Sequence, residues 1–140
     1  MAEDPTLRSA VLRGVIVDAS DHAHDLRGLL AVIPTEEPRE WRWRLLLGVF
    51  SAQKQNPISS RPPAELVRRI CNTAEALGRS CGDVARLSGH VELGSHGETL
   101  IADADAVWAD RKHPTELSPT LSAVTGILQR LHVDVARGRL

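Results

Sequence analysis

A chain of 140 residues has room for one domain of ordinary size, which excludes a large multidomain enzyme. With 42% hydrophobic and 25% charged residues it has enough apolar material to close a core without disulfide or metal staples, which excludes a wholly disordered chain. Seventeen basic and eighteen acidic residues leave a net charge of −1, without the global excess of a nucleic-acid coat or a membrane-surface protein.

In chain order, Asp4-Pro5 reads as a cap followed by Pro at the first helical position. Leu7, Val11, Val15 and Ile16 then recur at helical spacing and predict a first helix near 5–18. Gly14 and the β-branched run Val15-Ile16-Val17 leave a strand open as the alternative. Asp21 is placed to cap a second helix bearing Leu26, Leu29, Leu30 and Ile33, stopped by Pro34. Thr35-Glu36-Glu37-Pro38 opens a third, with Trp41, Leu45, Gly48, Val49 and Ala52 on one face. The alternation Trp41-Arg42-Trp43-Arg44-Leu45 would also suit a strand, so a small β-hairpin of 12–18 with 41–50 stays open.

Three prolines within Asn56–Pro63 cannot continue a helix and mark a long connection inside one domain, 1–140. Leu66, Val67, Ile70, Ala74 and Leu77 predict an amphipathic helix ending at Gly78, with Glu65–Arg69 and Glu75–Arg79 as supporting pairs. Ser80–Asp83 resembles a capping box opening a short helix to Leu87, and Gly89–Gly97 reads as a loop or hairpin. Glu98–Arg111 predicts a helix faced by Leu100, Ile101, Ala104, Val107 and Trp108. Ser118-Pro119 starts the last, with Leu121, Val124, Leu128, Leu131 and Val135 along its seam. The expectation is an all-α bundle of six or seven short helices, with Leu45, Val49, Leu66, Ile70, Leu100, Val107, Trp108, Val124, Leu128 and Leu131 in its core.

Candidate chemistry is sparse. Asp18, Asp21, His22, His24 and Asp25 form the densest acid and imidazole cluster, yet on a helix His24 points away from His22 and Asp25. The Glu-x-x-His repeat of helical carboxylate metal sites is missing. Gly94-Ser95-His96-Gly97 lacks the spacing of a dinucleotide or phosphate loop, leaving His90, His96 and His113 as turn residues. Cys81 falls at the expected start of a helix, where the dipole lowers a thiol pKa, but no base is assigned to it; a space-filling role fits both it and Cys71. With two cysteines and no leader-like N-terminus, a reduced, cytoplasmic protein is expected.

Charge is distributed unevenly: residues 1–40 carry four basic and eight acidic groups, 41–90 eight and three, and 91–140 five and seven. Arg42, Arg44, Arg61, Arg68, Arg69 and Arg86 from the middle segment are the candidate contacts to nucleic acid or another anionic partner, provided that folding brings them to one side. Residues 77–89 resemble the front half of a helix-turn-helix through Asp83, Val84, Ala85, Leu87 and Gly89. The resemblance breaks after Gly89, where two more glycines stand in place of a recognition helix.

No motif names an activity, cofactor or metal. The reading that remains is a non-enzymatic helical protein that binds another protein, with a second copy of itself among the candidates. A nucleic-acid-binding subunit using the Arg set is the first alternative, and a small enzyme using His22, His24 or His96 the second.

Overall fold

The structure, a computed structural model, describes residues 5–33 and 63–138. These form four α-helices, α1 (Pro5–Ala31), α2 (Ala64–Ser88), α3 (Val91–Trp108) and α4 (Ser118–Ala136), with a 3-10 turn at Pro114–Leu117. The fold of the described residues is all-α, and none of them lies in a strand. Residues 12–18 are helical, so the hairpin of 12–18 with 41–50 does not form. The third helix expected to open at Thr35-Glu36-Glu37-Pro38, and Leu45 and Val49 with it, lie outside the described residues.

The count of six or seven helices is corrected by fusion. Asp21 does not cap a second helix, because α1 runs unbroken through it. Gly78 and the Ser80–Asp83 sequence likewise lie inside α2, which ends at Gly89 in the left-handed conformation that glycine adopts without a Cβ penalty. The loop or hairpin expected over Gly89–Gly97 shrinks to Gly89 and His90, since α3 begins at Val91.

Each helix owes its place to a buried seam with alternating steps of three and four residues. In α1 and just past it the seam is Leu12, Ile16, Ala19, Ala23, Leu26, Leu30 and Ile33; in α2 it is Val67, Ile70, Ala74, Leu77, Cys81 and Val84. Leu93, Gly97, Leu100, Ala104 and Val107 repeat the pattern in α3, and Leu121, Val124, Leu128, Leu131 and Val135 in α4. Steps that average 3.5 residues keep one stripe facing its neighbours in the manner of coiled coils and antiparallel bundles. The helices pack in a ring, α1 on α2, α2 on α3, α3 on α4 and α4 back on α1, around one core cluster.

α2 and α3 form an antiparallel hairpin in which the two backbones approach closely. A Cβ built on Gly78 would lie 2.6 Å from the Gly97 carbonyl oxygen, and one built on Gly97 would lie 2.6 Å from that of Gly78. Below this crossing the Cys71 thiol donates to the Ala104 carbonyl at 3.4 Å, and above it Gly94 meets the Cβ of Ala85. Cys71, Gly78 and Ala85 are seven residues apart, as are Gly97 and Ala104, so small residues face each other turn after turn.

Candidate functional site

The basic set that the sequence singles out does not assemble around Arg86. Arg68 and Arg69 are exposed near the start of α2, while Arg86 is exposed near its end, about 26 Å further along at 1.5 Å per residue. Arg86 is paired with Asp83 one turn back, and Arg79 with Glu75 at 3.7 Å. Arg69 lines a shallow groove of about 490 Å³ between α1 and α2 with His24, Asp25, Gly28, Leu29, Asn72 and Thr73. Arg42, Arg44 and Arg61 lie outside the described residues. The helix-turn-helix likeness fails on geometry: the chain reverses within two residues into the antiparallel hairpin instead of setting a second helix across the first. α3 also carries Glu92, Glu98, Asp103 and Asp105, which repel phosphate.

Two of the histidines cap local elements. The His90 ring accepts the Leu93 amide at 3.2 Å and so caps α3. His113 caps the 3-10 turn, its backbone amide donating to Glu116 at 2.7 Å in a reciprocal box. His96 lies 3.6 Å from Glu92 one turn away. His22 and His24, two residues apart on α1, point to opposite sides, and among the described residues no group of three His, Cys, Asp or Glu side chains is placed to hold a metal.

Cys81 is not at a helix start. It is fully buried in the middle of α2, against Gly97, and burial pushes its thiol up to about 12, away from the thiolate a nucleophile requires. Cys71 is buried too, its pKa raised first by burial and then by the carboxylates of Glu75 and Asp105. In the turn after α3, Lys112 hydrogen-bonds Asp103 at 2.7 Å, a contact that raises the ammonium pKa.

What sequence reasoning missed is on α1. Leu7 and Val11, read at helical spacing with Val15 and Ile16, are 63% and 46% exposed, while Leu12 one residue on is 3% exposed. Val17 is 43% exposed as well. At about 100° per residue, Leu7, Ala10, Gly14 and Val17 occupy the side of the helix away from the buried seam, together with Asp18, Asp21 and Asp25, and Val11 lies on its flank. Among the described residues, a Cβ on Gly14 would meet nothing within 4 Å. Of the charged residues along α1, Asp18, Asp21 and Asp25 share this side, while Arg8 falls toward the buried seam. Arg8 reaches back with one guanidinium nitrogen to the Leu87 carbonyl at 3.0 Å, fixing the start of α1 beside the α2–α3 turn.

No protein-family model, curated protein or solved structure matches the chain. Among the described residues no helix is long and apolar enough to cross a membrane.

Proposed function

We propose that this chain is a non-enzymatic helical interaction protein that binds another protein through the outer face of α1. The observation that carries the reading is the second apolar face of that helix, Leu7, Val11 and Val17, which the core leaves exposed. Exposed apolar side chains scattered singly are ordinary; three on one helix, beside a glycine that packs on nothing among the described residues, have the composition of a helix that docks on another. The Arg68 and Arg69 side chains stand on a different helix and are not required for it.

The test is the double substitution Leu7→Glu with Val11→Glu. Its melting temperature should match that of the wild type, because neither side chain is in the core, while association with protein partners is lost. Retention of every partner by a folded variant would refute the docking role of this face.

A further inference from the structure

We infer that the groove between α1 and α4 is a binding site for a phosphate group, a function separate from the protein-docking face of α1. The groove has a volume of about 190 Å³, enough for a small oxyanion and below the roughly 300–1,000 Å³ of pockets for drug-sized ligands. Ser20, His24 and Arg27 line it from α1 and Gln129 from α4, over a floor that includes the buried side chains of Ala23 and Leu128.

Helical spacing brings these side chains together. Ser20, His24 and Arg27 stand at i, i+4 and i+7, one stripe of α1. Side chains on a helix lean toward its N-terminus, so the long Arg27 arm leans back toward His24 and Ser20. Four kinds of donor result: a guanidinium fork, an imidazole N–H, a hydroxyl and the carboxamide NH₂ of Gln129. None of the four side chains hydrogen-bonds or pairs with another described residue. Thr125 also lines the groove, but its hydroxyl donates to the Leu121 carbonyl at 2.8 Å, so that proton is already used.

Charge decides what the donors bind. Asp25 stands beside Arg69 in the α1–α2 groove, which His24 also borders, and Asp83 and Glu98 share a groove of α2 and α3 with Arg79 and Arg86. Among the described residues no Asp or Glu lines the α1–α4 groove, so the Arg27 guanidinium has no counter-charge there. An oxyanion supplies both the charge and the acceptors. Phosphate suits the set because arginine takes two of its oxygens through parallel N–H bonds and leaves the others to donors on the facing helix. A carboxylate has two oxygens, which the guanidinium fork alone engages.

Titration with inorganic phosphate at constant pH and ionic strength, followed by backbone amide chemical shifts, tests this. Saturable shifts should centre on residues 20–27 and 125–129. Arg27→Gln should raise the dissociation constant at least tenfold and leave the melting temperature unchanged, because Arg27 is exposed. Arg130→Gln removes a cation one residue past Gln129 and about 100° round α4, and should bind phosphate within twofold of the wild type. Leu7→Glu with Val11→Glu should also stay within twofold, since the protein-docking face is separate. Methyl phosphate binding as tightly as inorganic phosphate makes the ligand a phosphate ester of a larger molecule; binding of inorganic phosphate alone makes it the free ion. Acetate binding more tightly than either overturns the phosphate assignment. Equal weakening by Arg27→Gln and Arg130→Gln, or shifts that never saturate, overturns the site, because diffuse attraction to the surface would then explain the binding.

Discussion

At the scale of single residues, the same amino acid serves opposite purposes depending on what a Cβ would meet. Gly97 and Gly78 allow two backbones to touch, so Gly97→Ala must push α2 and α3 apart. Its expected cost is about 1–3 kcal/mol, the range for overpacking a filled interior. Gly82, on the same helix, would place its Cβ in open space, and Gly82→Ala should gain about 0.5–1 kcal/mol from helix propensity alone. Urea unfolding of the two variants reads the opposite signs directly.

Cys81 gives a prediction in pH. Below pH 9 its thiol is neutral whether the chain is folded or not. Above that, the unfolded thiol ionises from its ordinary value of 9.0 while the buried one holds its proton up to about 12. The folded state then binds more protons than the unfolded, so stability contributed by this group falls as pH rises through that window, by at most about 1.4 kcal/mol per unit. Replacing the thiol by Cys81→Ala should flatten the alkaline limb of a plot of unfolding free energy against pH. A native chain should also leave Cys81 untouched by thiol reagents at neutral pH.

At the scale of elements, the sequence was legible where apolar side chains are large and misleading where small ones do the packing. The α4 seam from Leu121 to Val135, and the α2 face of Val67, Ile70, Ala74 and Leu77, are buried as their spacing predicts. In α1 the reading placed Ile16, Leu26, Leu30 and Ile33 on buried positions and missed at Leu7 and Val11, because Ala19 and Ala23, which connect Leu12 and Ile16 to Leu26 as one seam, carry little hydrophobic signal. Gly78, Gly94 and Gly97 were read as helix stops and a loop for a similar reason: a glycine in sequence shows its conformational freedom, and only a partner helix shows that its missing side chain is what matters. Trp108, expected in the core, is 59% exposed at the last turn of α3.

The capping role of His90 was hidden because histidine is not among the residues that usually cap a helix. His90→Ala should therefore cost about 0.5–2 kcal/mol, the range for losing a side-chain cap, with the difference visible in thermal melts at neutral pH.

For the molecule as a whole, four helices with seams in steps of three and four share one core, and α1 alone shows a second apolar face among the described residues. The core claim is tested by Leu128→Ala, which should cost about 2–5 kcal/mol for a leucine only 1% exposed. The partner-binding claim depends on α1 having one face committed to the fold and one free of it. Val11 and Leu12 are neighbours in sequence on those two faces, 46% and 3% exposed. Thermal unfolding of Val11→Glu beside Leu12→Glu at low protein concentration is the most direct measurement. A free outer face predicts that Leu12→Glu loses at least about 3 kcal/mol by forcing a carboxylate into the core, while Val11→Glu unfolds within about 0.5 kcal/mol of the wild type. Equal destabilisation by the two substitutions would contradict it.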